Sequence, residues 1–206
     1  MTDHPDPDGQ DPSSPAEEFE RLLERAPEFT DKYPYCEFTA AKYPYYDLGV
    51  DLAERGDLEG AEAAFRLGEE YGDEDGALAV GLVLEERGDL EGAEAAYRRG
   101  DERGEYYSTY NLGVLLEQRG DLEGAEAAYR RAEERGDEDA PYNLGRLLER
   151  RGDLEGAEAA YRRGDEAQDG ESAVSLGRLL ERRGDLEGAE AAYERARTRP
   201  KWPRPP

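Results

Sequence analysis

Carboxylates dominate the chemistry open to this chain: 52 Asp and Glu stand against 27 Lys and Arg, with one His, one Cys, one Trp and 14 Tyr. Paired carboxylates can run general acid–base catalysis, but only where two of them sit in contrasting environments. Here most recur as copies along the chain, which suits solvated helix faces. His4 lies in a leader rich in Asp and Pro, so Ser-His, Cys-His and His-metal chemistries lack a partner. Cys36, between Tyr35 and Glu37, has no nearer base than Lys32; it reads as a small buried residue and allows neither an internal disulfide nor a thiolate cluster. Phosphate loops are absent, and Asp73-Glu74-Asp75-Gly76 lacks the ligand spacing of a calcium loop. No enzyme activity, metal or cofactor is expected.

The elements that carry these residues must overcome an unpromising composition. Leu, Val and Phe number 31, Ile is absent, and the formal charge is -25, a profile shared with disordered chains. Such acidity disfavours nucleic acid and anionic membrane and favours basic or neutral protein partners. Residues 1–137 carry a net charge of -23 and residues 138–206 only -2, so the acidity belongs to the front. Apolar runs fall short of the ~20 residues of a spanning helix, and no basic-then-apolar leader opens the sequence, so a soluble cytoplasmic protein is expected.

Pattern supplies what composition withholds. The string Gly-Asp-Leu-Glu-Gly-Ala-Glu-Ala-Ala-aromatic begins at Gly56, Gly88, Gly120, Gly152 and Gly184, at intervals of 32 residues, and a Leu-rich stretch precedes each copy. Ala125, Ala128, Tyr129 and Ala132 fall at i, i+3, i+4 and i+7 and form one apolar helical stripe. Glu126 and Arg130 stand in the favourable i, i+4 order, repeated at Glu62/Arg66, Glu94/Arg98 and Glu158/Arg162. Gly120 can end the first helix in the left-handed conformation and Asp121 can cap the second. A turn that short makes an antiparallel hairpin. Each hairpin has two half-apolar helices and must stack on its neighbours to bury them.

The set Leu112-Gly113, Leu116, Gly120, Ala125, Tyr129 and Ala132 resembles the tetratricopeptide repeat motif, and five copies span residues 42–197. The period is 32 against about 34 in the family, and the Pro that usually follows the second helix is missing. The resemblance implies an all-α fold, a right-handed superhelical solenoid of antiparallel helix pairs, and a non-catalytic scaffold that holds a protein or peptide in the concave groove lined by first helices. Groove positions should be those where the copies differ. Two residues before each Leu-Gly-like pair stand Tyr46, Leu78, Tyr110, Tyr142 and Val174; directly after it stand Val50, Leu82, Val114, Arg146 and Arg178. Family members use an Asn just before the pair to bond an extended ligand's backbone, which singles out Asn111 and Asn143. Both could instead cap or bridge helices, and the tyrosines could be core. Arg146, Arg150, Arg178 and Arg182 could take a ligand carboxylate in fork geometry, or could be satisfied by Glu149 and Glu181 three residues on from Arg146 and Arg178.

Outside the array, residues 1–15 read as a disordered acidic leader and residues 16–41 as a capping helix, Ala16 to Ala26, followed by a Tyr/Pro-rich linker. That helix presents Phe19, Leu22 and Leu23 on one side. Two Lys-Tyr-Pro-Tyr strings lie at 32–35 and 42–45, the second placing Pro44 at the start of the first repeat helix. Residues 198–206 form a Pro-rich tail, either a polyproline-type ligand or a frayed end whose Trp202 packs on the last helix. The competing functional expectation is self-assembly into a homo-oligomer through an uncapped array end.

Overall fold

The computed structural model describes residues 15–26, 29 and 44–198. His4, Cys36, the first Lys-Tyr-Pro-Tyr string, the acidic leader to residue 14 and the tail from residue 199 lie outside these. Among the described residues there are eleven helices and no strand. A leading helix, α1 (Pro15–Arg25), is followed by five hairpins: α2 (Pro44–Glu54) with α3 (Leu58–Glu70), α4 (Gly76–Glu86) with α5 (Leu90–Arg103), α6 (Tyr106–Arg119) with α7 (Leu122–Glu134), α8 (Ala140–Arg150) with α9 (Leu154–Glu166), and α10 (Gly170–Arg182) with α11 (Leu186–Thr198). This is an all-α helical repeat solenoid, and it divides into two compact units, residues 1–96 and 97–206.

The hairpin junction follows from its residues. Gly120 has φ 85°, and the Asp121 carboxylate accepts the backbone N–H of Gly124 at 2.9 Å, satisfying one of the open amides of α7. The same Asp-to-Gly bond recurs at Asp57, Asp89, Asp153 and Asp185. Helix α2 opens at Pro44, whose missing N–H costs nothing in a first turn.

Packing rests on small residues facing rings. Ala125, Ala128 and Ala132 of α7 have no exposed surface, and Tyr129 is 1% exposed. The ring of Tyr129 lies on α6 at Gly113, where an added Cβ would come within 2.8 Å of it. In the first unit α1 packs on α2 and α3 through Phe19 and Leu22, both buried, and α3 packs on α4. In the second, α7 packs on α8 and α9 on α10, so in these pairs, as with α3 and α4, a second helix is covered by the next hairpin's first helix.

Candidate functional site

First helices present the varied positions in a fixed order around the helix. In the first unit, Tyr46 is half-buried with its ring 5.4 Å from that of Phe65, Leu78 is half-buried, and Leu82 and Val50 are exposed, at 48% and 36%. In the second unit, Tyr110 and Tyr142 are half-buried against Tyr129 and Tyr161, at 6.0 and 6.3 Å between ring centroids. These tyrosines belong partly to the core of their own hairpin. Val114 is half-buried, whereas Arg146, Arg150, Arg178 and Arg182 are exposed.

The two asparagines differ. Asn143 is nearly buried, 8% exposed, and its amide donates both to the Tyr110 hydroxyl at 2.9 Å and to the Asp139 carbonyl at 3.2 Å. It bridges α8 to α6, and both amide hydrogens are engaged. Asn111 is half-exposed and donates to the Tyr107 carbonyl at 2.8 Å. Burial, followed by the charges of Asp139 and Asp137, raises the Tyr110 hydroxyl above the ordinary phenol range, keeping it neutral as an acceptor for Asn143.

The arginines do not pair three residues along their own helix. Glu117 of α6 accepts the Tyr129 hydroxyl at 3.0 Å and is met from the next hairpin by Arg146, at 3.3 Å, and by Arg150. Glu149 repeats the pattern with Tyr161, at 3.1 Å, and Arg182. Arg146 thus reaches back to Glu117 while Glu149 turns forward to Arg182, because stacking places the carboxylate beside the following first helix. Arg146 also lies 6.0 Å above the Tyr142 ring. Glu181 takes the Tyr193 hydroxyl at 3.1 Å. Of the four arginines only Arg178 has neither an ion pair nor a hydrogen bond among the described residues. Burial, reinforced by the adjacent carboxylates, raises the Tyr129 and Tyr161 hydroxyls, which therefore remain donors at any physiological pH.

A second ladder ties second helices together. Asp101 of α5 receives Thr109 at 3.0 Å, Arg131 at 2.7 Å and Arg135 at 2.5 Å. Burial opposes ionisation of Asp101, but these donors outweigh it and hold its carboxyl below the usual range. Arg163 meets Glu133 and Arg195 meets Asp165 in equivalent places. A third rung joins Glu62 to Arg87, Glu126 to Arg151 and Glu158 to Arg183, each pair 25 residues apart. Sequence reasoning at helical spacing missed all three ladders. Their signal was present in the 32-residue register, as opposite charges at separations of 25, 30 and 33.

No cluster of His, Cys, Asp or Glu among the described residues could hold a metal ion, and none of their helices is long and apolar enough to cross a membrane. The groups offer recognition chemistry: exposed apolar side chains in the first unit, and exposed guanidinium groups, amides and phenols in the second.

Two family models with the description tetratricopeptide repeat match the chain, one over residues 110–172 and 142–204, the other over residues 43–66. No curated protein matches. Among solved structures, MamA is similar with a TM-score of 0.59 and 21% identity, over 72% of this chain and 91% of that one. PilF of Pseudomonas aeruginosa gives 0.60 and 20%, over 74% and 73%. BtubC of P. vanneervenii gives 0.60 and 19%, over 93% of this chain and 94% of that one. At these identities the likeness is one of fold. With five copies of the motif in sequence and five hairpins in structure, the chain belongs to the tetratricopeptide repeat family.

Proposed function

We propose that this chain is a non-catalytic scaffold that holds another protein or peptide on the exposed faces of its first helices. One observation carries the reading: junction residues are copied almost unchanged through five hairpins, whereas the first-helix position directly after the Leu-Gly-like pair differs between copies and is exposed at Val50, Leu82, Arg146 and Arg178. Packing demands explain a conserved junction. They do not explain an exposed Leu in one copy and an exposed Arg in another.

The groove is taken for each unit by itself: Tyr46, Val50, Leu78 and Leu82 in the first, and Tyr110, Asn111, Val114, Tyr142, Arg146, Arg150, Arg178 and Arg182 in the second. Asn143 acts there by fixing Tyr110, since its amide hydrogens are engaged. A ligand carboxylate would find Arg178 unpaired, while Arg146, Arg150 and Arg182 would first have to leave Glu117 or Glu149. The test is capture of partners from a native lysate on the immobilised chain, followed by affinity measurement with a purified partner. Asn111→Ala and Arg178→Ala should each weaken binding in the second unit; unchanged affinity removes those residues from the site.

Self-assembly is the second reading, favoured by Leu186 of α11, 66% exposed, where the corresponding Leu122 is half-buried. Light scattering across concentration decides it: a monomer throughout would exclude it.

A further inference from the structure

The ladder on the first helices is not kept through all copies of the repeat, and its first register has a chemistry of its own. In the second unit two rungs consist of a carboxylate, the Tyr hydroxyl twelve residues on, and arginine from the next first helix: Glu117 with Tyr129, Arg146 and Arg150, and Glu149 with Tyr161 and Arg182. The same register in the first unit holds Ala53, Phe65, Leu82 and Glu86. Carboxylate, hydroxyl and both arginines have all been exchanged, the first two for groups that cannot form the bond. Leu82 is 48% exposed on α4, and Val50, at the matching position of α2, is 36% exposed. Helices α2 and α4 pack on one another, so the two side chains occupy stacked positions on one face. Glu54 and Glu86, one turn further along, are exposed and have neither an ion pair nor a hydrogen bond among the described residues.

We infer that this face of α2 and α4 is a docking surface for a cationic, apolar peptide segment of a partner protein, whose aliphatic side chains cover Val50 and Leu82 and whose Lys or Arg side chains meet Glu54 and Glu86. The inference rests on the scaffold reading and names the partner chemistry for the first unit. Charge complementarity selects the occupant. Residues 44–96 carry 16 acidic and 3 basic groups, so an anionic or neutral polar segment would gain nothing here. Exposed leucine supplies the remaining selection, because a cationic segment without apolar side chains leaves Leu82 and Val50 in water. In the second unit α8 and α10 carry arginine at the equivalent positions, three of the four held by the chain's own carboxylates, and α6 carries a half-buried Val114 followed by Gln118, so none repeats the pairing of exposed Leu with free Glu.

The experiment measures fluorescence anisotropy of the full chain with three labelled probe peptides: one of Leu and Lys at helical spacing, one with every Leu changed to Ser, and one with every Lys changed to Glu. The Leu/Lys probe should bind, and both altered probes should bind at least about tenfold more weakly. Leu82→Ser should weaken the Leu/Lys probe about tenfold, and Glu86→Gln should flatten its salt dependence. Glu155→Gln, an exposed carboxylate on α9, should do neither. Circular dichroism verifies folding; because Leu82 and Glu86 are exposed, both variants should melt with the native chain.

Equal binding of the Leu and Ser probes would overturn the inference, since it reduces the attraction to net charge. So would an affinity unmoved by Leu82→Ser. Binding that emerges only after deletion of residues 30–43 would assign the surface to the chain's own segment, and Leu82-dependent self-association without probe binding would assign it to a second copy; either overturns the inference. The scaffold reading fails separately, when the immobilised chain captures no partner protein from a native lysate.

Discussion

At the scale of single residues, the informative groups are those whose partners lie a full repeat away. Glu117 has a side chain 8% exposed and meets three donors, Tyr129, Arg146 and Arg150. Replacing it with Gln leaves two guanidinium groups without their counter-charge, and the loss should be about 2 kcal/mol in chemical denaturation, because hydrogen bonds to charged groups contribute about 1.5–3 kcal/mol. A double-mutant cycle with Tyr129→Phe should show coupling between the two; additive losses would mean that the 3.0 Å bond contributes nothing. Asp101 gives a pH-dependent counterpart. Its folded carboxyl is held below the ordinary value, so its contribution is present above the unfolded value of about 3.9 and is lost as pH falls through the folded value. Asp101→Asn should therefore cost about 1–2 kcal/mol at neutral pH, with the gap closing in melts taken below about pH 4. Asp73 and Asp137, raised chiefly by burial, act with the opposite sign and are common to both proteins, so they cancel in the difference. These residues were legible in sequence only as acidic or basic positions. Helical spacing pairs Arg146 with Glu149, and it took the stacking register to pair it with Glu117.

At the scale of elements, the junction inside each hairpin was readable and the one between hairpins was not. Gly-Asp at 120–121 names its own conformations, a left-handed terminator followed by an N-cap, and both are present. The second junction uses the same device more loosely: Gly72, Gly104 and Gly136 have positive φ, each followed by an acidic residue, but the fourth copy is Gln168 at φ 72°. That exception hid the rule. It also yields a prediction, since a non-glycine residue in this region costs about 1–2 kcal/mol. Gln168→Gly should raise stability by about 1 kcal/mol, offset in part by the greater freedom of Gly in the unfolded chain; a lower melting temperature would show that the Gln168 side chain makes compensating contacts. The inter-hairpin acid has its own task. Asp137 accepts the backbone N–H groups of Asp139 at 3.1 Å and Ala140 at 2.7 Å, and so fastens the start of α8 that carries Asn143 and Arg146. Scaffold and candidate site meet at that turn.

At the scale of the molecule, charge divides the chain more sharply than fold does. Residues 1–96 carry a net charge of -20 and residues 97–206 only -5, although both are built from the same hairpin. Self-repulsion opposes compaction, and salt relieves it; ion pairs stabilise, and salt weakens them. The first unit is rich in the former, the second in the latter. Among the described residues, Glu117, Glu133, Glu149 and Asp165 each meet arginine from the following hairpin of the second unit. Raising sodium chloride from low to about physiological strength, where the screening length falls to about 8 Å, should therefore act on the two units with opposite sign. Native-state hydrogen exchange can read each unit separately, because protection follows local opening as well as global unfolding. Amides of α3 should become better protected with salt, while those of α7 and α9 stay level or exchange faster. An equal gain in all three helices would mean that repulsion is shared by the whole chain, and that the ion-pair ladders of the second unit do not offset it.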